Sequence, residues 1–173
     1  MINEIRSGVL ERFRVTPASR FSILSGPVLF DTCAALFQST LFTVVALPFG
    51  FRANFLGMLL LFALLALLTL TTSSFGNALA VLMKSEDRYA PIVHGINLPI
   101  LLLSGTLLPL SLAPTWLKIL AHFNPVYYAV KASRALAIGD FSSITIAYAF
   151  CILGGFAMFT MSWATRVFKT AAT

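Results

Sequence analysis

Four long stretches of this sequence are almost free of charge, and they decide what the chain can fold into. Residues 21–51 hold one charge, Asp31. Residues 55–83 and 141–165 hold none, and 92–117 hold only His94 among titratable histidine, acidic and basic side chains. Each stretch is at least 25 residues. A hydrocarbon core ~30 Å thick is crossed by ~20 apolar residues. Backbone N–H and C=O groups in lipid must pair within their own segment, so the stretches are predicted to be helices. They lack the period-two alternation of a membrane barrel. Only 10% of residues are charged, against about 25% in soluble domains, which argues against a soluble domain. The chain is too apolar for disorder. The expected fold is all-α. It is a single-domain polytopic membrane protein, 1–173, with four transmembrane helices at 21–48, 55–83, 91–109 and 142–164.

The charges that remain fall between these runs. Twelve Lys/Arg against six Asp/Glu give +6, and their spacing reads as membrane orientation rather than a nucleic-acid surface. With four spans, Arg6, Arg12, Arg14, Arg20, Lys84, Arg88, Arg166 and Lys169 share one side. Arg52, Lys118, Lys131 and Arg134 share the other. Both termini are therefore expected in the cytoplasm of a cell-membrane protein. The charged first twenty residues do not form a signal peptide. Cys33 and Cys151 sit alone in apolar runs, with no disulfide or metal spacing. His94 and His122 have no acidic neighbour in sequence. Asp31 is the one acid within a span, and Glu86, Asp87 and Asp140 lie in loops. No catalytic group, metal or cofactor site is expected in the chain.

Ile2, Ile5, Val9, Leu10 and Phe13 fall on one helical face, which predicts an amphipathic helix over 1–18. Thr16-Pro17 ends it, and Ser19 can cap the first span. Such a helix suits either a membrane surface or a cytoplasmic partner. Asp31 and Gln38 share a face of the first span. They either bond a neighbouring helix or contact polar or cationic cargo. The second span ends in Thr69, Thr71, Thr72, Ser73, Ser74, Gly76 and Asn77, a set suited to close packing or to lining a path. Pro99 should kink the third span, and Gly154-Gly155 predicts a close helix contact in the fourth. Two short helices are expected in 110–140. Trp116, Leu117, Ile119, Leu120 and Phe123 form a stripe on the first. Asn124-Pro125 separates them. Tyr127, Lys131, Arg134 and Ile138 share a face of the second, which Gly139 ends.

The run from Gly8 through Leu10, Glu11, Arg12, Val15, Thr16, Pro17 to Arg20 resembles the segment after the second membrane helix of type-2 ABC exporter permeases. That pattern is roughly Gly-x-Leu-Glu, then Thr-Pro-x-x-Arg. Leu103-Ser104-Gly105-Thr106-Leu107-Leu108-Pro109 with Pro114-Thr115-Trp116-Leu117 is similar to the family's fifth helix and following loop. Asn124, Pro125, Tyr127 and Arg134 match its Asn-Pro-x-x-Tyr-x-x-x-x-x-Arg stretch. The resemblance implies that the first segment is a coupling helix seated in a groove of a separate ATP-binding subunit. It implies that 110–140 is a re-entrant or interfacial hairpin outside the membrane, closing the outer mouth. It also implies two helices ahead of the coupling helix that this sequence, starting at Met1, lacks.

The implied function is the permease subunit of an ATP-driven exporter that moves an amphipathic drug, antibiotic or lipid. ATP and Mg would sit on the partner subunit, as the chain has no Gly-x-x-x-x-Gly-Lys-Ser/Thr loop. A second permease copy, or a related permease, and membrane lipids complete the expected partners. Candidate path residues are Asp31, Gln38 and Asn77. Candidate outer-gate residues are Asn124, Pro125, Tyr127 and Arg134. Export of polysaccharide or lipo-oligosaccharide, and a four-helix membrane scaffold, are the alternatives.

Overall fold

The computed structural model describes residues 20–50, 54–83, 86–107, 110, 113–140 and 144–171. The proposed coupling segment, including Gly8, Leu10, Glu11, Arg12, Val15, Thr16 and Pro17, lies outside them. All regular structure among the described residues is helical. The helices are α1 (Arg20–Ala46), α2 (Phe55–Met83), α3 (Glu86–Leu103), α4 (Thr115–His122), α5 (Pro125–Ile138) and α6 (Ile144–Ala171).

Among the described residues three stretches are long and apolar enough to cross a bilayer: Ser25–Phe49, Phe55–Met83 and Ile144–Val167. The third predicted span, 91–109, takes a different form. Its helix starts earlier, on Glu86, Asp87 and Arg88, and stops at Leu103. At 1.5 Å per residue the 18 residues of α3 reach ~27 Å, and their first turn is charged. The helix ends because Gly105 takes a left-handed φ of 75°, which glycine adopts at little cost. Ser104 closes the last turn, its N–H donating to the Ile100 carbonyl at 2.9 Å. An absence of charge does not reveal such a turn.

The hairpin α1–α2 is closed by a 3₁₀ turn, Leu47–Phe49, with Pro48 in its first turn and Gly50 at φ 90°. Within α2 the threonines turn inward on their own backbone. Thr69, Thr71 and Thr72 donate to the carbonyls of Leu65, Leu67 and Leu68, four residues back, at 2.8–3.0 Å. These hydroxyls are thereby satisfied without a second helix. The residues α2 buries are mostly small: Gly57, Thr71, Ser74, Ala78 and Ala80, with Leu64 and Val81. Small side chains let helix backbones approach, which is how helices associate in lipid.

The core lies between α2, α5 and α6. Leu64 clusters with Ala129, Ala132 and Leu136 of α5 and with Ile146, Ala149 and Leu153 of α6. Farther along, Ala78 and Val81 cluster with Ala164, and Phe75 stacks on Trp163 at 5.6 Å. From Leu64 to Ala78 along α2 the partners advance from Leu153 to Ala164 along α6, so these two helices run parallel. The helix α1 returns against α2 as an antiparallel neighbour. The ends at Arg20, Met83 and Ala171 consequently gather at one end of the bundle.

One sequence expectation is corrected by this packing. Cβ atoms built at Gly154 and Gly155 would meet nothing within 4 Å. These glycines form no close helix contact among the described residues; the contact face of α6 passes through Ala149, Leu153 and Ala164 instead. The helix α5 buries Ala129, Ala132 and Leu136, and not the face of Tyr127, Lys131, Arg134 and Ile138. Ile138 is 85% exposed. On α4 the large apolar side chains Trp116, Ile119, Leu120 and Phe123 point outward, and Ala121 is the buried residue.

Candidate functional site

Two polar arrangements stand out in an otherwise apolar molecule, one between α1 and α2 and one at the foot of the hairpin. The first is built on Asp31. Asp31 lies eleven residues, or ~16 Å, beyond Arg20 at the start of α1. A charge within hydrocarbon costs at least ~2.5 kcal/mol even on permissive scales, so its surroundings matter. Ser73 of α2 donates its hydroxyl to Asp31 Oδ2 at 2.5 Å. Asn77, one turn on, donates from Nδ2 to Ser73 Oγ at 3.2 Å. Both donors in this relay point toward the carboxylate. Gly76 sits between them in sequence, and a Cβ there would stand 3.3 Å from the hydroxyl oxygen of Tyr89. Burial, and after it the Asp31 carboxylate, raise the Tyr89 phenol at the start of α3 above its ordinary range.

The structure thus brings Asp31 and Asn77 together through Ser73 and adds Tyr89. Gln38 stays two turns away on the exposed face of α1. Ser73 was one of several hydroxyls in a polar stretch, and its pairing depends on the register of α1 against α2. Tyr89 follows Glu86 and Asp87, which the sequence places in a loop; the helix that holds all three begins at Glu86.

The second arrangement ties α5 to the end of α3. Asn124 caps α5 by accepting the Val126 N–H at 3.0 Å, which places Pro125 at the first helical position where its missing N–H costs nothing. The same side chain donates from Nδ2 to the Ile100 carbonyl at 2.9 Å. Asn124 is buried. Arg134 reaches from α5 to donate to the Gly105 carbonyl at 2.8 Å, a cation at a helix C-terminus where the dipole favours it. Asn124 and Arg134 therefore act as a clamp that holds the hairpin on the broken end of α3. Tyr127 packs with the rings of His122 (5.4 Å) and Tyr128 (5.3 Å), and Lys131 Nζ lies 6.0 Å from its centroid. A cavity of about 200 Å³ lies beside it, lined by Leu110, Lys118, Ala121, His122 and Tyr127. Sites for small organic ligands run from ~300 Å³ upward, so this cavity suits water better than cargo. The described residues hold no group of three His, Cys, Asp or Glu arranged for a metal ion.

The chain is 30% identical over 131 residues to a protein of Cyanophora paradoxa bearing the name transport permease ycf38. That match covers 75% of this chain and 45% of the relative. It is 27% identical over 154 residues to the daunorubicin resistance ABC transporter permease protein DrrB1 of Streptomyces coeruleorubidus, covering 88% and 54%. It is 25% identical over 140 residues to a protein of Escherichia coli K12 bearing the name multidrug ABC transporter permease YbhR, covering 80% and 38%. The chain spans about half the length of the curated relatives it matches. No solved structure matches it. The profile of the ABC-2 type transporter matches residues 1–138, most of the chain and both polar arrangements, and on that match the chain belongs to the ABC-2 type transporter family.

Proposed function

We propose that this chain supplies the membrane path of an ATP-driven exporter for an amphipathic substrate. The observation that carries the reading is where the helix ends fall. Arg20, Met83 and Ala171 gather at one end of the bundle, directly after the segment from Gly8 to Pro17 that resembles a coupling helix. Eight of the twelve basic residues belong to that end, which makes it the cytoplasmic one by the positive-inside rule. A separate ATP-binding subunit docks there on Leu10, Glu11, Arg12, Val15, Thr16 and Pro17. Its ATP-driven closure pushes on α1, whose first residues follow that segment without a linker.

In this reading α3 and the hairpin α4–α5 together bring the chain back to the outer end, so both termini are cytoplasmic. A second permease copy, or a related permease, covers the exposed apolar faces, and cargo passes between the two. Two relatives bear names that point to daunorubicin and to multiple drugs, which favours a drug-like amphiphile over polysaccharide. The test is co-purification with a candidate ATP-binding subunit. Replacing Leu10 and Glu11 with alanine is expected to abolish both co-purification and ATP-driven transport in proteoliposomes. Undiminished association and transport would show that this segment is not the coupling helix.

A further inference from the structure

We propose that the cavity between α4 and the start of α5 binds a phosphate group, that of a lipid headgroup in the leaflet where the hairpin lies. The inference goes beyond the transport reading and does not depend on it.

Size and donors come first. The cavity measures about 200 Å³. A phosphate group takes up about twice the ~30 Å³ share of a water molecule. It therefore fits with hydrating water beside it, where a drug-sized molecule does not. Lys118 and His122 line the cavity from α4. They are four residues apart, so they share one face of that helix. Tyr127 lines it from α5. All three side-chain types can donate hydrogen bonds. His122 Nδ1 lies 2.6 Å from the Lys118 carbonyl and must donate to it. That leaves Nε2 as the ring's second polar atom for a ligand, and it donates when both nitrogens carry protons. A further ammonium, Lys131 Nζ, stands 6.0 Å from the centre of the Tyr127 ring.

Charge and depth then select the ligand. Residues 104–143 hold Lys118, Lys131 and Arg134 against one acid, Asp140. Asp140 follows the far end of α5, ~20 Å from Tyr127 at 1.5 Å per residue. That is more than twice the Debye length of ~8 Å at physiological salt. The cavity therefore attracts an anion, and lysine binds phosphate as a point charge. The helix α4 has two opposed faces. Trp116, Ile119 and Leu120 are exposed on one, and Lys118, Ala121 and His122 meet the cavity on the other. A helix with these two faces lies along the membrane interface, and tryptophan favours headgroup level there. The polar face of α4 is then at the depth of lipid phosphates. His122 is exposed at the rim, so a headgroup can enter from the side.

The test compares two dansyl-labelled lipids with the same acyl chains, a phosphatidic acid and the diacylglycerol that lacks its phosphate. Each is bound to the purified full chain in dodecyl maltoside, a detergent without phosphate. Binding is followed by energy transfer from tryptophan, Trp116 being on α4 itself. The native chain should bind phosphatidic acid at least about tenfold tighter, roughly what one charge-assisted hydrogen bond supplies. Lys118→Gln should remove most of that preference and leave diacylglycerol affinity unchanged, which also reports that the variant is folded. Lys118→Arg should restore the preference. Lys169→Gln removes the same charge from the tail and should leave the preference intact. Millimolar inorganic phosphate should fail to displace the phosphatidic acid; displacement would overturn the lipid assignment in favour of the free anion. Equal affinity of the native chain for both lipids would overturn the whole proposal. So would equal losses in Lys118→Gln and Lys169→Gln, because net charge and not the cavity would then select the lipid. Either result would leave the exporter reading standing, because that reading is tested by coupling to the ATP-binding subunit.

Discussion

Asn124 does two jobs with one side chain, and they can be separated. Its Oδ1 caps α5 and its Nδ2 holds the Ile100 carbonyl of α3. Asn124→Ala removes both, and the lost cap alone is worth ~1 kcal/mol. Asn124→Asp keeps the cap but sets a carboxylate oxygen against a carbonyl oxygen, so it should destabilise by a further ~1–3 kcal/mol through the unpaired buried group. Thermal unfolding followed by Trp116 and Trp163 fluorescence should rank native above Ala and Ala above Asp. An Asp variant as stable as the native chain would remove the link to α3 from the account. Ser74 presents the opposite case. Its hydroxyl is buried and has no hydrogen-bond partner among the described residues, so Ser74→Ala should leave stability unchanged or raise it by up to ~1 kcal/mol. A clear loss of stability would mean that the hydroxyl has a partner in the assembled protein.

Among the elements, α5 and α6 show what the sequence could and could not convey. The charge-free runs specified helices because lipid forces backbone pairing, and that reasoning placed both ends of α1 and α2 and the start of α6 within about two residues of those observed, while α6 continues past the predicted 164 to Ala171. Faces were harder to read. In a membrane protein an apolar side chain suits both lipid and core, so the stripe of Trp116, Ile119 and Leu120 does not by itself say which it meets, and it is exposed. Alanines carry the contact on α5, and nothing in their hydropathy marks them. The polar site was half legible for the same reason in reverse. Asp31 and Asn77 are conspicuous in apolar runs, whereas their connection through Ser73 is a matter of helix register. Glycine gives a test at this scale. Gly139 ends α5 at φ 85°, with the Asp140 N–H donating to the Ala135 carbonyl at 3.0 Å. Gly139→Ala should cost ~1–2 kcal/mol, because the left-handed conformation strains any residue with a Cβ. Gly154→Ala and Gly155→Ala lie within a helix and meet nothing within 4 Å. Each should gain up to ~1 kcal/mol from helix propensity. The same unfolding measurement separates the three, and equal losses at all three positions would show that the α6 glycines do have a close neighbour.

At the scale of the whole molecule, the parallel run of α2 and α6 makes a topological demand. The two helices pack in step, Leu64 with Leu153 and Ala78 with Ala164, so both begin at one end of the bundle and finish at the other. Between them the chain must return from Met83 to Ile144. Helix α3 covers ~27 Å of that return, close to the ~30 Å of a hydrocarbon core, and the clamped hairpin completes it. A chain with three crossings alone would put its two ends on opposite sides, and the parallel pair excludes that arrangement for a bundle with every long helix across the membrane. The prediction is therefore specific to sidedness. In a variant lacking Cys33 and Cys151, single cysteines are placed at Lys84 and Lys169 for one side and at Arg52 and Asp140 for the other. A membrane-impermeant maleimide added to intact cells should label positions 52 and 140, and should reach 84 and 169 only after the membrane is opened. Labelling of 169 together with 140 in intact cells would mean that α6 does not cross. Labelling of 84 together with 52 would mean that α2 does not.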